Sequence, residues 1–298
     1  MENKDHNQNH QSEDLPQVLL LKPTPVMAVL GEHQFSSNKY QFLKAWESPL
    51  PLCQFLTKYA NSIQAILCSG AASVTDDLLQ LLPSVRLVVA ASAGTNHIDL
   101  MACCRRGISV TNAGNVFSDD GADAAVGLLF DILRKISAAD RYVRQGLWVK
   151  KGDYALGSKK KTFVSYPFYS NICELAADSD ALIICCALTD QTRHMINKEV
   201  LSALGKEGVI VNIGRGAIID EKELVRCLVE GEIAGAGLDV FEKEPDIPKQ
   251  LLELENVVLS PHNAVFTPES FLALSELVVG NLEAFFSNLP LLSPVMDE

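Results

Sequence analysis

The sequence predicts an α/β protein of two domains, each organised on a parallel sheet. Short apolar runs alternate with amphipathic segments along most of the chain, the pattern of strand–helix–strand units. The alternation breaks once, between Lys150 and Asn171, and then resumes, so two such series follow one another. At 298 residues and 48% hydrophobic, the chain is long enough for two ordinary domains with substantial cores.

In the first series, strands are expected at Val26–Leu30, Ile63–Cys68, Leu87–Ala91 and Ile108–Thr111, with the amphipathic stretch Thr75–Leu82 among the segments between them. Gly121–Trp148 reads as one long helix, because Val126, Leu129, Phe130, Leu133 and Ile136 recur at helical spacing. Such a stripe suits a core helix or a surface that two subunits share. The second series has strands expected at Ala181–Ala187, Val209–Ile213, Ala236–Phe241 and Val257–Leu259. One helix between them is punctuated by Asp220 as N-cap, Glu223 three residues on, and Gly231 as a stop. The polar residues 1–14 read as a disordered tail with no signal-peptide core.

Charge and cysteine usage exclude several classes. A net charge of −12 repels nucleic acid and anionic membranes at long range, while leaving room for a small anion at a local positive site. The longest apolar stretch, Ala181–Leu188, is too short to cross a bilayer, and Val295-Met296-Asp297-Glu298 is not a peroxisomal address. The eight cysteines show no Cys-x-x-Cys spacing, which predicts free, mostly buried thiols in the cytoplasm, with neither disulfides nor a metal site.

Three stretches of the second series combine into a candidate site: Asn212-Ile213-Gly214-Arg215-Gly216, Asp239-Val240-Phe241-Glu242-Lys243-Glu244-Pro245 and Ser260-Pro261-His262. Each follows an expected strand, and open α/β sheets bind ligands outside the carboxyl ends of their strands. Arg215 between two glycines can clamp a carboxylate with two hydrogen bonds. His262 can carry the proton that interconverts a carbonyl and an alcohol. Glu244 would orient that imidazole and favour its charged form, and Asp239 would meet a polar cofactor edge. Singly, each has a plain structural reading as surface ion pair, solvated charge or loop residue. Three consecutive strand ends carrying them together point to a site.

At these residues the chain resembles the D-isomer-specific 2-hydroxyacid dehydrogenase family. The order and spacing of Arg215, Glu244 and His262 match its catalytic triad. Pro261-His262-Asn263-Ala264-Val265-Phe266-Thr267-Pro268 and the later Val278-Val279-Gly280-Asn281-Leu282-Glu283-Ala284 and Pro290-Leu291-Leu292 are similar to its plant glyoxylate/hydroxypyruvate reductases. The resemblance implies a flavodoxin-like substrate domain over 15–117 and 268–298, and a Rossmann-type, doubly wound NAD(P)-binding domain over 118–267. It implies reduction of hydroxypyruvate or glyoxylate to the D-2-hydroxy acid (glycolate from glyoxylate), with NADPH ahead of NADH, by a homodimer joined through the 121–148 helix. The residues it implies for substrate are Ser92, Ala93 and Gly94, through their amides, with Arg215. For cofactor they are Ile213, Gly214, Arg215, Asp239, His262, Asn263 and Ala264.

One departure stands against this. The family carries a strand, a Gly-x-Gly-x-x-Gly turn and a helix after a segment like Leu156-Gly157-Ser158, whereas here Ser158 runs into Lys159-Lys160-Lys161 and no such glycine turn occurs in the sequence. The pattern is that of a clean internal deletion of the first strand–helix–strand unit, and the lysines read as a solvated charge run. Gly231, Gly235 and Gly237 are no substitute, since they lead into a strand rather than out of one. The expected consequences are a lost diphosphate cradle and an exposed apolar edge at Ala181–Ala187. The alternative reading is therefore an inactive, truncated form able only to pair with an intact subunit.

Overall fold

In a computed structural model, the residues described are 15–24, 39–155, 157 and 167–295. The tail 1–14, the expected strand Val26–Leu30 and the Ser158–Lys161 junction lie outside them. The chain divides into two compact units, Met1–Phe117 with Thr267–Glu298, and Ser118–Phe266.

The first unit holds a five-stranded parallel sheet of β1 (Gln17–Leu20), β2 (Gln41–Lys44), β3 (Ile63–Cys68), β4 (Leu87–Ala90) and β5 (Ser109–Thr111), in the order β2-β1-β3-β4-β5. This is the flavodoxin-like doubly wound order. Both faces are covered, as parallel sheets require. Val18, Leu20, Ala65, Leu67, Leu87 and Val89 pack with Phe271, Leu274, Val278 and Leu282 of the helix Pro268–Phe286. The alternate residues Leu19, Ile66, Cys68, Val88 and Ala90 pack with Leu56, Leu79 and Ala102 of the helices Leu52–Tyr59, Asp76–Gln80 and Leu100–Arg105. Strands β1 and β2 were not expected. Each spans only four residues, too few to show a period, and their pairing partners are distant in sequence.

The second unit holds a four-stranded parallel sheet of β6 (Ala181–Ile184), β7 (Val209–Asn212), β8 (Gly235–Leu238) and β9 (Val257–Leu259), in sequential order. Leu182, Ile184, Ile210, Ala236 and Leu238 face the helices Lys198–Leu204 and Glu221–Val229, where Asp220 caps as expected by accepting the Glu223 amide at 3.2 Å. On the other face, Val209 and Val211 pack against Ala125 and Leu129 of the helix Ser118–Arg134. Gly237 explains the close approach of that helix: a Cβ there would stand 2.8 Å from the Ile132 side chain. The Gly235–Gly237 pair thus serves helix–sheet packing.

The single helix expected over Gly121–Trp148 is instead three, Ser118–Arg134, Ile136–Arg144 and Leu147–Lys151. The breaks fall at Lys135 and Gly146, both left-handed with φ of 55° and 67°. Apolar spacing alone does not reveal a one-residue reversal that leaves the stripe nearly in phase. Val126, Phe130, Ile136, Val143, Trp148 and Val149 remain exposed along this stretch.

Strand β6 is the edge of its sheet among the described residues. Asp180 and Ile184 give their carbonyls to the Val209 and Ile213 amides on β7. Alternation along a strand therefore turns the backbone groups of Ala181 and Ile183 to the open side. Ile183 is 43% exposed, and Cys185 and Cys186 just beyond are exposed as well. Exposure and thiol acidity together predict the labelling pattern of the native protein. Burial pushes the Cys68 thiol up to about 12 and the Cys227 thiol up to about 11, so both stay protonated as well as covered. Alkylation at mildly alkaline pH, read by peptide mass spectrometry, is expected to modify Cys53, Cys104 and Cys185, to reach Cys186 more slowly because burial pushes its thiol up, and to spare Cys68 and Cys227 until the chain unfolds. Protection of Cys185 and Cys186 would show that the β6 edge is covered in solution.

Candidate active site

Parallel pairing aligns the carboxyl ends of β7, β8 and β9, and the three sequence-expected stretches follow them. After β7, Asn212 closes a tight loop on itself. Its buried side chain accepts the Gly214 amide at 3.0 Å and donates to the Arg215 carbonyl at 3.0 Å. Arg215 donates from Nη1 to the Gly214 carbonyl at 2.7 Å and is otherwise held by the 3-10 turn Gly216–Ile218 that follows. Burial of its guanidinium pulls it below its ordinary value, against which the charge of Glu244 acts; at pH 7 it stays cationic.

Gly216 is fixed by crowding. A Cβ there would lie 1.9 Å from the carbonyl carbon of Phe241, so the loop after β7 rests directly on the backbone of the loop after β8. That second loop turns back through Glu244, whose Oε1 accepts the Phe241 amide at 3.0 Å. Its other oxygen, Oε2, lies 2.7 Å from Nδ1 of His262. An ionised carboxylate only accepts, so the pair places a proton on Nδ1 and leaves Nε2 as the working nitrogen. The His262 side chain is 43% exposed and that of Glu244 33%, which leaves the imidazole open to a ligand.

Asp239, expected to meet a cofactor edge, is 1% exposed and already engaged. Its Oδ1 accepts from Ser260 Oγ at 2.5 Å and from the Asn263 amide at 3.0 Å, and its Oδ2 accepts from the Ala264 amide at 3.1 Å. The carboxylate thereby shapes the turn that carries His262, whose own φ is +53°, and whose amide donates to the Asp239 carbonyl at 2.8 Å. Asn212 and Ser260 had no role in the sequence reading. Their signal was present, since both sit within the quoted stretches, but their hydrogen bonds close local turns that only coordinates reveal. In the first unit, Ser92, Ala93 and Gly94 follow β4. Ser92 Oγ donates to the Gly94 carbonyl at 2.8 Å, while Asn112 Nδ2 donates to the Ala93 carbonyl at 2.9 Å.

The fit of a dinucleotide differs between its two ends. Ile213, Gly214, Arg215, His262, Asn263 and Ala264 line the carboxyl edge of the second sheet, where a nicotinamide ring would rest. A diphosphate needs free amides at a helix N-terminus. Asn171 and Asn197 each take two first-turn amides of the helices Ile172–Ala177 and Lys198–Leu204, and Asp220 takes one of Glu221–Val229. At these three helices the capping side chains thus compete with a diphosphate for the first-turn amides.

Comparison with known proteins places the chain. Residues 156–264 match the model described as D-isomer specific 2-hydroxyacid dehydrogenase, NAD binding domain. A glyoxylate/hydroxypyruvate reductase of Arabidopsis thaliana is 47% identical, over 94% of this chain and 97% of its own. A hydroxyphenylpyruvate reductase of Plectranthus scutellarioides is 41% identical over 87% of this chain and 93% of its own. Among solved structures, the NADPH-dependent glyoxylate/hydroxypyruvate reductase of Sinorhizobium meliloti, in complex with NADP and malonate, superposes with a TM-score of 0.80 at 29% identity, over 94% of this chain and 96% of that one. The Arabidopsis alignment runs over 316 positions while 94% of 298 residues is about 280, so about 36 positions of that relative have no counterpart here. That is the size of one strand–helix–strand unit. On the span and identity of these matches, the chain belongs to the D-isomer-specific 2-hydroxyacid dehydrogenase family.

Proposed function

We propose that this chain reduces small 2-keto acids, hydroxypyruvate and glyoxylate first among them, to the D-2-hydroxy acid or, from glyoxylate, to glycolate. The observation that carries this reading is the 2.7 Å contact between Glu244 and His262 on loops adjoining that of Arg215. Family membership supplies the reaction class, and the reductases of Arabidopsis and Sinorhizobium supply the substrates. A nicotinamide cofactor supplies hydride in such a reduction. The Sinorhizobium enzyme is described as NADPH-dependent, which favours NADPH over NADH here.

The chain's own residues divide the remaining work. Arg215 offers a planar, permanently charged fork to the substrate carboxylate and the neighbouring keto oxygen. His262 delivers a proton from Nε2 to that oxygen as it becomes an alkoxide, and Glu244 holds the ring at Nδ1 while the proton leaves. Ile213, Gly214, Arg215, Asp239, His262, Asn263 and Ala264 are the proposed cofactor residues, with Asp239 acting through the turn it holds. Ser92, Ala93 and Gly94 are the proposed substrate-binding residues of the first unit.

The exposed apolar positions Val126 and Phe130, with Ile136 and Val143, support a homodimer formed through residues 121–148. A cytoplasmic location accords with free cysteines, and no helix among the described residues is long and apolar enough to cross a membrane. The competing reading, a truncated chain that only pairs with an intact subunit, draws on the absent glycine turn and the open β6 edge. It leaves the Arg215, Glu244 and His262 arrangement without a purpose.

The test is turnover of hydroxypyruvate and glyoxylate by the purified chain with NADPH and with NADH. Activity that falls roughly 100-fold or more in Arg215→Ala and in His262→Gln is expected. Unchanged turnover in either variant removes that residue from the mechanism, and a folded chain with no turnover favours the competing reading. Gly216→Ala is a separate check on how the site is built. Its Cβ would overlap the Phe241 carbonyl group, so urea unfolding is expected to register a loss of about 1–3 kcal/mol.

A further inference from the structure

Among the described residues, two of the four non-glycine residues with positive φ lie at turns of the helix-flanking kind, Lys135 between two helices and Asn288 just after the helix Pro268–Phe286. The other two are His262 and His194, at +53° and +50°. A left-handed histidine is held there by its surroundings at an energetic cost, and such residues gather at functional sites. His262 belongs to the site already described. His194 does not, and no role in the sequence reading fell to it.

The surroundings of His194 form a closed circuit of three chain segments. Its amide donates to the Ala217 carbonyl at 2.9 Å, and the Ile196 amide donates to Ile218 at 3.1 Å, so residues 194–196 run alongside the segment just after Arg215. That segment leads into Glu221, whose Oε2 accepts the Glu242 amide at 3.1 Å. The circuit closes where Nε2 of His194 meets Oε1 of Glu242 at 3.2 Å. Burial raises the Glu221 carboxyl above its ordinary value, the Glu242 amide acts against this, and the nearby Glu242 charge adds to it. An imidazole N–H beside Glu242 relieves that crowding of two carboxylates.

We propose that His194 is a positioning residue: its backbone holds the loop carrying Arg215, its imidazole holds Glu242, and together they set the placement of Glu244, two residues on, against His262. The proposal rests on the reading of Arg215, Glu244 and His262 as the working groups. Glu244 has little else to fix it. Its side chain bonds the Phe241 amide and His262, and both depend on where the Phe241–Glu242 backbone lies. That backbone is pinned from one side by the contact with Gly216 and from the other by Glu221, while His194 holds the Glu242 side chain that it carries. Removing the imidazole therefore releases the Glu242 side chain, leaves Glu221 as the remaining hold on that end of the loop, and keeps every proposed working residue in the sequence.

The test needs a readout that does not depend on turnover. Long-range proton–nitrogen spectra of the histidine-labelled full chain report whether Nδ1 of His262 holds a hydrogen-bonded proton, with Glu244→Gln as the reference for its disturbance. In the native sequence Nδ1 is expected to be protonated and bonded. His194→Ala is expected to move the His262 signals towards those of Glu244→Gln, and His194→Gln, whose amide nitrogen can stand in for Nε2, to restore them. Should His194→Ala fold poorly, Glu242→Ala breaks the same contact from the other side and is expected to move the His262 signals the same way. Unchanged His262 signals in His194→Ala or in Glu242→Ala overturn the proposal, as does a failure of His194→Gln to restore them. Where the chain turns over keto acid, His194→Ala should lower kcat roughly tenfold with KM little changed. A chain that turns over nothing counts against the proposed reaction, while the spectra still decide the role of His194.

Discussion

The carboxylate of Glu244 is the point on which the candidate site depends, because it bonds in two directions at once. One oxygen accepts an amide of its own loop and the other accepts from the imidazole of His262 on the next loop. A flexible side chain bonded at only one end would lose rotamer freedom for little gain. Bonded at both, it transmits the position of the β8 loop to the imidazole on the β9 loop. The rest of the site is arranged to make that position definite. Gly216 admits the β7 loop to direct backbone contact, Asn212 closes that loop on itself, and Asp239 gathers the Ser260 hydroxyl and two amides to set the turn at His262. Parallel pairing in sequential order is what lets three loops separated by some 25 residues of chain meet at one sheet edge.

Much of this was legible in the sequence, for identifiable reasons. Strands β4 and β9 are continuous apolar runs, and β3 and β7 are interrupted or ended by a single polar residue, Gln64 and Asn212, since both faces of a parallel sheet are buried. The helix at Glu221–Val229 announces itself through Asp220. The residues Arg215, Glu244 and His262 stand out because each follows a strand end and offers chemistry that a core does not need. The geometry that joins them was not legible. Asn212 and Ser260 act through hydrogen bonds within a few residues, and His194 through contacts to residues more than 20 positions away. None of these leaves a periodic trace. The breaks at Lys135 and Gly146 escaped for the same reason, since a single left-handed residue redirects a helix without altering its apolar spacing.

The second sheet raises a question of stability as well as function. In a doubly wound sheet the first strand of the cofactor half is central, and its neighbour is covered on both sides. Here β6 has a described partner on one side only, and its sequence offers no lysine or proline to discourage pairing with another chain. The strand holds its place through side chains instead. Leu182 and Ile184 are buried beneath the helices Lys198–Leu204 and Ile172–Ala177, and Ala181 meets the helix Ser118–Arg134. Burial of that kind fixes a strand against its sheet without satisfying its outer backbone, which water can do at an exposed edge.

The site and the edge thus share only part of the sheet. The hydrogen bonds that orient Glu244 and His262 come from the loops after β8 and β9, while the loop carrying Arg215 also rests on β6, where Ile184 accepts the Ile213 amide at 3.1 Å and the Cys186 carbonyl lies close under Gly214. Were a unit missing beyond β6, neighbours of β6 and amides for a diphosphate would go with it, while the bonds of the imidazole to Glu244 and of its turn to Asp239 would stay. A family member built in this way would keep the Glu244–His262 contact whatever its hold on the far end of a dinucleotide. Affinity for a dinucleotide and competence in proton transfer would then be separable properties of one chain, where in an intact doubly wound sheet the same central strands support both.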